Sequence, residues 1–433
     1  MPMSYLQSVE FLYGLQKHGI KPGLETITAL LDRLGRPDRR YPSLHIGGTN
    51  GKGSTAAMVS SILQAAGYRA GLYTSPHLVD FRERIQVNGD RISEERMAAL
   101  TDRIRAACDA PREPTFFEFT TAMAFQHFAE TGVNVAVIEV GLGGRFDATN
   151  VLAPVASAIT NVALDHQEYL GETIGAIAYE KAGIIKPGVP VIVGRLSDEA
   201  AAVITRVANE RHAPVHRLYG NFSTHAESPA RFRYTGLKRS YDALTCPLAG
   251  QHQLDNAACA LALLEAASER DLPVPEKAVR EGLRTVRWDG RLETVESRPS
   301  IVLDGAHNPD AAAVVSAYLA DFRRRHSGSR VIVVLGMMRD KDCGGFLDHL
   351  LPCADEMIVT QARMLRAAPV RELEALVRAR GRTTLGCPDP ADAMALARRM
   401  AAPDDLILIT GSLMLVGEVK AILQGCGLSP LRG

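Results

Sequence analysis

A glycine-rich turn lies in the stretch His45-Ile46-Gly47-Gly48-Thr49-Asn50-Gly51-Lys52-Gly53-Ser54-Thr55. The residues before it (43–48) predict a buried strand, and those after it (54–66) have helical spacing. Glycines in such a turn let backbone N–H groups approach phosphate oxygens, and the helix N-terminus adds positive potential. Lys52 is expected to hold the β- and γ-phosphates as a mobile point charge. The stretch therefore predicts a nucleotide site.

One position departs from the common phosphate-loop pattern G-x-x-x-x-G-K-[ST], because Gly53 follows the lysine. A hydroxyl for magnesium must then come from Ser54 or from elsewhere. The alternative interpretation is a plain glycine-rich turn with an exposed lysine. The flanking strand and helix patterns argue against that alternative.

Short apolar runs alternate with helical patterns along most of the chain. Expected strands are 43–48, 70–74, 134–140, 155–160 and 190–194, then 301–304, 331–336, 356–360 and 406–410. Expected helices are 54–66, 116–129, 173–185 and 254–268, then 310–322, 370–378, 390–400 and 414–423. This alternation is typical of a mostly parallel sheet covered on both faces. Segment 231–247 has short alternating patterns and predicts a small antiparallel unit.

The pattern breaks near residues 288–300, which predicts a domain boundary in the mid-290s. The fold class expected is α/β. Residues 1–294 are assigned to an N-terminal P-loop domain with a mostly parallel sheet. Residues 295–433 are assigned to a smaller, Rossmann-like α/β C-terminal domain.

Bulk composition is that of an ordinary globular protein. The 433 residues include 49 basic and 49 acidic side chains, so no basic stripe for nucleic-acid binding is indicated. The seven cysteines form no C-x-x-C pair, which favours reduced thiols over a disulfide framework or a zinc site. Neither a signal peptide nor an apolar run of membrane-spanning length is recognised. We therefore expect a cytoplasmic protein without membrane association.

Polar residues follow several of the expected strands. Ser75 comes after strand 70–74, Glu139 closes the apolar run 135–138, and His166 follows strand 155–160. Open α/β sheets bind ligands at the carboxyl ends of their strands, so these side chains converge if the sheet is parallel. A carboxylate and a hydroxyl suit magnesium, which keeps several waters. Taken singly, each residue could instead be a strand-end charge, a turn residue or a satisfied polar histidine.

Longer motifs carry a resemblance to a known family. They are Gly48-Thr49-Asn50-Gly51-Lys52-Gly53-Ser54, Tyr73-Thr74-Ser75-Pro76-His77-Leu78, the run from Glu139 to Asn150, Leu164-Asp165-His166, Glu180-Lys181-Ala182-Gly183-Ile184, Asn256-Ala257-Ala258, Gly290-Arg291 and Asp304-Gly305-Ala306-His307-Asn308-Pro309. With these motifs in this order, the chain resembles folylpolyglutamate synthase, including its bifunctional dihydrofolate synthase form, within the Mur ligase superfamily. The glycine after Lys52 is itself a trait of that family.

The resemblance implies a set of site residues. Those expected to bind ATP are Thr49, Asn50, Gly51, Lys52, Gly53, Ser54, Asn256, Arg291 and Asp304. Those expected at two Mg²⁺ ions are Ser75, Glu139, His166 and Lys181, the last as a carbamate. Folate is expected near Phe116, Phe117, Glu118, Phe146, Asp147 and Ala148, and glutamate near His307 and Ser412. Catalytic roles are expected for Lys52, His166, Lys181, Asp304 and His307.

Lys181 is the least obvious of these residues, because the composition of the surrounding segment alone suggests an exposed lysine on a helix. An ordinary lysine with a pKa near 10.4 is neutral in roughly one molecule in 2,500 at pH 7. Only the neutral amine reacts with carbon dioxide, so carbamylation requires a lowered pKa. The product is an anion that can supply an oxygen ligand to magnesium.

The reaction implied is ATP-dependent addition of L-glutamate to a folate carboxylate, with dihydropteroate as a second possible acceptor. ATP converts the carboxylate into an acyl phosphate, which the glutamate amine attacks. Closure of the two domains about the mid-290s linker is expected to exclude water. The expected partners are small molecules, and the expected state is a monomer. The acceptor of the amine proton is not identified by the sequence, and Asp304 and His307 are both candidates.

Two alternatives stay open at this point. The first is a Mur-type ligase that acts on another carboxylate acceptor, although the motifs at 139–150 and 304–309 fit the folate branch better. The second is a nucleotide-binding module that performs no ligation. The absence of an N-K-x-D sequence for guanine and the presence of a second α/β unit argue against that module.

Overall fold

The computed structural model describes residues 3–19, 23–108, 113–228 and 231–427. Within these residues, eight strands form the first sheet in the order β4-β3-β2-β5-β1-β6-β7-β8. Their bounds are β1 Ser43–Gly47, β2 Ala70–Tyr73, β3 Ile85–Val87, β4 Asp90–Arg91, β5 Val135–Glu139, β6 Ala156–Asn161, β7 Val191–Arg195 and β8 Val215–Arg217. All neighbours pair in parallel except at the β3 and β4 edge, which is antiparallel.

Two further sheets follow in the described part of the chain. A three-stranded antiparallel sheet contains β9 Ser223–Ser228, β10 Arg231–Thr235 and β11 Ser240–Leu244. A six-stranded sheet has the order β12-β13-β17-β14-β15-β16. Its strands are β12 Glu293–Ser297, β13 Ser300–Leu303, β14 Val331–Leu335, β15 Glu356–Val359, β16 Leu385–Gly386 and β17 Leu406–Thr410, and only β12 pairs antiparallel.

Helices cover both faces of the first and third sheets. They are α1 Tyr5–Gly14, α2 Glu25–Arg33, α3 Lys52–Ala65, α4 Glu94–Ala107, α5 Phe116–Thr131, α6 Gln167–Leu170, α7 Ile174–Ala182, α8 Asp198–Glu210, α9 His252–Ser268, α10 Glu276–Thr285, α11 Pro309–Arg325, α12 Cys343–Leu350, α13 Val370–Ala379, α14 Pro390–Met400 and α15 Leu413–Gln424. As far as the chain is described, none of them is both long and apolar enough to span a bilayer.

The alternation of side chains along β5 shows how the first core is divided. Val135 and Val137 pack on the side of α3, α9 and α10, whereas Ala136 and Ile138 pack on the side of α1, α2, α4 and α5. Successive strand residues point to opposite faces, so a strand buried on both sides is apolar throughout. This arrangement explains why the run was recognisable as a central parallel strand.

The predicted α/β class with two mostly parallel sheets is confirmed. The antiparallel unit predicted at 231–247 is present as β10 and β11, joined by β9. Several helices lacked a prediction, namely α1, α2, α4, α6, α8, α10 and α12. The second large sheet already includes β12, which starts at Glu293, close to the boundary predicted between residues 294 and 295. That boundary stays a prediction.

Close contact between α3 and α10 gives a stability prediction. A Cβ at Gly282 would collide with the backbone of Ile62. Gly282→Ala should therefore lower the free energy of unfolding by about 1–3 kcal/mol through overpacking. Gly14→Ala is the control, because no described atom lies within 4 Å of that Cβ position. Urea unfolding followed by circular dichroism measures both, and equal stability of the two variants would contradict the close contact.

Candidate active site

The glycine-rich turn connects β1 to α3. Gly51 precedes the helix with a φ of 84°, and Gly48 has a φ of 140°, conformations that glycine adopts readily. Among the described residues, no side chain caps the N-terminus of α3. The carboxamide of Asn256 lies against Gly51, where a Cβ would collide with it. The first amides of α3 are thus left to bind an anion, as the sequence predicts.

Two lysines meet at the turn. The Lys52 ammonium donates to the Gly48 carbonyl at 3.1 Å and to the Thr49 carbonyl at 2.9 Å. The Lys181 ammonium donates to the same Gly48 carbonyl at 2.9 Å. Burial lowers the pKa of Lys52, opposed by the negative charge of Glu139. Burial and the charge of Lys52 lower the pKa of Lys181 to about 7. Lys181 is 3% exposed, so the surface interpretation from composition is wrong.

Glu139 ends β5 inside the same cavity. Its Oε2 accepts a hydrogen bond from the Ser75 amide at 3.0 Å. Burial raises the pKa of Glu139, while the charge of Lys52 and the Ser75 amide act in the opposite direction. The pair places a carboxylate and a hydroxyl-bearing residue at the ends of neighbouring parallel strands. Glu139 is therefore not a simple solvated charge at a strand end.

A polar cluster links the two α/β units around Asp165. Its Oδ1 accepts from the Lys341 ammonium at 2.6 Å, and its Oδ2 accepts from the Asn308 amide group at 3.1 Å. His307 Nε2 lies 3.4 Å from Oδ2. Burial alone would raise the pKa of Asp165, but the hydrogen bond with His307 and the nearby positive charges hold it well below its usual range. Burial lowers the pKa of His166 to about 4, so its imidazole is neutral at pH 7.

The second unit supplies further groups to this region. Asp304 accepts from the Leu292 amide at 2.8 Å and from the Ala306 amide at 2.9 Å, one on each oxygen. His307 Nδ1 donates to the Gly305 carbonyl at 2.9 Å, which leaves Nε2 facing Asp165. Asp304 therefore organises the turn that carries His307.

A cleft of about 690 Å³ connects these groups. It contains most residues predicted at the nucleotide, metal and catalytic positions, namely Thr49, Asn50, Gly51, Lys52, Gly53, Ser54, Ser75, Glu139, His166, Lys181, Asn256, Arg291, Asp304 and His307. Ser412 lies beside the cleft residue Leu413, and its hydroxyl caps α15 by accepting from the Leu415 amide at 3.1 Å. The cleft thus unites side chains that are separated by more than 200 positions in the sequence.

Two of the residues predicted for folate, Phe117 and Asp147, lie beside this cleft at Gly141. A Cβ at Gly141 would lie 3.2 Å from Asp147 Oδ2, 3.5 Å from Ser75 Oγ and 3.7 Å from the Phe117 ring. Because Gly141 has no side chain, a space stays open there. It is bordered by Ser75, which is predicted to bind metal, and by Asp147 and Phe117, which are predicted to bind folate. Phe117 and Phe146 are partly exposed, at 38% and 44%.

The other three predicted folate residues are less accessible. Phe116 is 3% exposed and stacks on Tyr13, with ring centroids 5.6 Å apart. Glu118 accepts from the Thr115 amide at 2.7 Å in a capping box at the start of α5. Ala148 is buried in the short turn after Asp147. A stacking surface at this site would therefore come from Phe117 and Phe146.

Sequence reasoning missed three members of the site. Asp165 lies in one of the sequence motifs, but the sequence predicts no role for it. The sequence likewise predicts no role for Lys341 or Asn308. Lys341 follows β14, so the rule that ligands bind at the carboxyl ends of strands could have indicated it. Its partner Asp165 could not be found in this way, because their contact depends on how the two units pack.

The arrangement joins a glycine-rich phosphate loop to a cleft between two α/β units, and the side chains predicted to bind metal line that cleft. Two family models match the chain, the Mur ligase middle domain over residues 46–264 and the Mur ligase glutamate ligase domain over residues 290–413. The fold and site therefore define a Mur ligase.

Individual relatives identify the family of Mur ligases to which the chain belongs. The dihydrofolate synthase/folylpolyglutamate synthase of Bacillus subtilis is 35% identical over 97% of this chain and 99% of its own length. Escherichia coli FolC in complex with DHPP and ADP is 32% identical, covers 98% of both chains and superposes with a TM-score of 0.89. The bifunctional enzyme of Yersinia pestis, complexed with AMPPNP and a Mn ion, is 32% identical, covers 98% of both chains and has a TM-score of 0.88. The chain belongs to the folylpolyglutamate synthase/dihydrofolate synthase family and is an ATP-dependent, ADP-forming glutamate ligase.

Replacement of Lys52 tests the phosphate cradle. Lys52→Ala should lower the rate of ADP formation by roughly 100- to 1,000-fold, because one charge-stabilising donor is lost. The fold should survive, since the ammonium contacts loop carbonyls and not a core. Lys277→Ala, at an exposed lysine on α10, is the control. Wild-type activity in a folded Lys52→Ala protein would contradict the assignment.

Proposed function

We propose that this ligase adds L-glutamate to the free carboxylate of both dihydropteroate and reduced folates. The observation that carries the proposal is the shared space at Gly141, which both Ser75, a predicted metal ligand, and the aromatic Phe117 border. A pterin ring stacked against Phe117 and Phe146 would direct the carboxylate of the acceptor towards the phosphate loop. The E. coli relative, solved with DHPP and ADP, supports an acceptor site beside the nucleotide.

The first half-reaction activates the acceptor carboxylate. A carboxylate is a poor acyl donor because its oxygen is a poor leaving group, and transfer of the γ-phosphoryl group of ATP makes it a good one. Lys52 and the free amides of α3 would hold the phosphates and offset the charge that develops during transfer. Asn256, Arg291 and Asp304 would border the nucleotide, since all three lie in the cleft.

The donor set at the cleft suits a divalent cation. Glu139 offers a carboxylate, Ser75 a hydroxyl, and His166 a neutral imidazole, while Mg²⁺ commonly takes one or two protein ligands together with phosphate oxygens and water. The Y. pestis relative with AMPPNP and a Mn ion supports this site. We assign two Mg²⁺ ions to it, one at Glu139 and Ser75 and one at His166. When bound, they neutralise charge on the transferring phosphoryl group.

Lys181 is proposed to act as a carbamate. Its amine is buried, has a pKa lowered to about 7, and lies beside Lys52. The neutral amine would attack carbon dioxide, forming an N–C bond and releasing one proton to solvent. The resulting anion would remove the repulsion between two buried ammonium groups and add an oxygen ligand near His166.

The second half-reaction needs glutamate with a neutral amino group. His307 is the better placed of the two candidate proton acceptors, because both oxygens of Asp304 are occupied by amides, whereas Asp165 beside His307 Nε2 would stabilise the imidazolium that forms when a neutral ring takes the proton on this nitrogen. Its Nδ1–H is fixed by the Gly305 carbonyl, which orients the ring. Ser412 would contribute at the edge of the glutamate site if its hydroxyl is released from the cap of α15.

The proposed acceptors are tested by ADP release with dihydropteroate or tetrahydrofolate, each with and without L-glutamate. ADP should form with either acceptor, but only when L-glutamate is present. Mass spectrometry should then find products that are one glutamyl residue heavier than the acceptor. Omission of the acceptor is the control for uncoupled hydrolysis. Turnover with only one of the two acceptors would show that the enzyme is monofunctional and would contradict the proposal that it uses both.

The carbamate gives a pH prediction with a defined sign. Protonation below the lowered pKa of about 7 removes the nucleophilic amine, so activity should fall as the pH decreases through that value. In buffer freed of carbon dioxide the wild-type enzyme should lose activity at about neutral pH, and bicarbonate should restore it. Lys181→Ala should be inactive and should not respond to bicarbonate. Full activity of wild-type enzyme without carbon dioxide would exclude the carbamate.

A further inference from the structure

A buried hydrogen-bonded chain leads from the strand of the phosphate loop to Asp147. His45, on β1, contacts the Thr149 hydroxyl through Nε2 at 2.8 Å. The Thr149 hydroxyl contacts Asp147 Oδ1 at 2.5 Å, and the Thr149 amide donates to the same oxygen at 3.0 Å. His45 is fully buried and Thr149 is 1% exposed. None of the cleft-lining groups described above takes part in this chain.

The direction of the hydrogen bonds follows from the chemistry of the three groups. A carboxylate only accepts, so the Thr149 hydroxyl must donate to Asp147. Its oxygen then accepts from His45, which requires the hydrogen on Nε2. Burial and the charge of Lys186 lower the pKa of His45 to about 3, so the ring is neutral and carries one hydrogen. His45 Nδ1, which lacks a described hydrogen-bond partner, is therefore a bare acceptor and not an unmet donor.

The chain orients a carboxylate that is also bonded to its own loop. Asp147 Oδ2 accepts from the Leu142 amide at 2.9 Å, which closes the loop between Gly141 and Asp147. A side chain without the Thr149 hydroxyl bond could rotate and disturb both ends of that loop. Hydrogen bonds to a buried carboxylate are among the stronger ones in proteins. Loss of the bond from the Thr149 hydroxyl should therefore change the position of Asp147 in the acceptor pocket.

We propose that His45 is a positioning residue that holds Asp147 in the acceptor pocket through the Thr149 hydroxyl. The inference rests on the proposed function, which puts the pteroyl group beside Asp147. It assigns a role in acceptor binding to a residue that lies only three positions before Gly48 of the phosphate loop. A merely structural role in β1 would disturb the nucleotide site as much as the acceptor site.

The test compares the KM for tetrahydrofolate with the KM for ATP in matched variants. His45→Leu and Thr149→Val each remove one link, and each should raise the KM for the acceptor by roughly tenfold while the KM for ATP stays unchanged. His45→Gln and Thr149→Ser keep the hydrogen-bonding group and should stay close to wild type. The double variant His45→Leu/Thr149→Val should be no worse than either single variant, because both changes break the same chain.

Ser157→Ala is the control, since Ser157 pairs with His45 in the neighbouring strand, is equally buried and has no link to Asp147. Should His45→Leu fail to fold, the pair Thr149→Val and Thr149→Ser decides alone. Equal increases in both KM values, or unchanged acceptor KM in folded Thr149→Val, would overturn the positioning role.

Asp147→Asn separates this inference from the proposed function. If Asp147→Asn raises the acceptor KM while Thr149→Val does not, the pocket is correct and the positioning role is wrong. If Asp147→Asn leaves the acceptor KM unchanged, the pocket itself is misplaced, and the positioning role is overturned with it.

Discussion

Two buried ammonium groups that meet at the Gly48 carbonyl are the constraint on which the site depends. Lys52 and Lys181 donate to that oxygen at 3.1 and 2.9 Å. Burial lowers the pKa of both, and the charge of Lys52 lowers the pKa of Lys181 further. Burying like charges together is costly unless negative charge compensates for them. Glu139 supplies part of that compensation. In the proposed function, the polyphosphate of ATP would come beside these two groups, where their positive charge would stabilise it.

The sheet order explains how these groups come together. Strands β2, β5, β1 and β6 are neighbours and parallel, and their carboxyl ends carry in turn Ser75, Glu139, the glycine-rich turn and the segment leading to Asp165. A single edge of one rigid sheet thereby sets the distances between the nucleotide cradle and the metal donors. Catalysis by positioned charge needs such rigidity, because the stabilising groups must already be in place when charge develops.

The same sheet order explains what the sequence alone could predict. Apolar strands followed by glycine or polar residues are visible in the sequence, so the glycine-rich turn and the presence of Ser75, Glu139 and His166 in one cleft could be predicted from their place after strands. The burial of Lys181 was not visible, because its helix packs through Ile177, Ala178 and Ala182, which any amphipathic helix could contain. The capping role of Glu118 was missed although the sequence shows it, because Thr115-Phe116-Phe117-Glu118 has the local spacing of a capping box. The contact between Lys341 and Asp165 was not visible, because it depends on three-dimensional neighbours that local patterns do not specify.

Several contacts between the two α/β units near the phosphate loop are polar. Asp165 accepts from Lys341 and Asn308, and the Asn50 carboxamide in the phosphate loop donates to Asp310 at 2.9 Å. Polar contacts of this kind can be exchanged for water at little cost, unlike a buried apolar interface. These polar contacts are therefore the part of the interface between the two units that can open without exposing apolar surface.

The acceptor and nucleotide sites are also coupled through covalent continuity within the first unit. Glu139 is followed after one residue by Gly141, whose missing side chain leaves room between Ser75, Asp147 and Phe117. The loop that borders the acceptor is thus an extension of the strand that carries a metal donor. Its far end returns to β1 through Thr149 and His45, the strand that leads into the phosphate loop. In the proposed function, a displacement of this loop would move the acceptor carboxylate relative to the γ-phosphate, so the closed circuit of β5, loop and β1 would set the geometry for phosphoryl transfer.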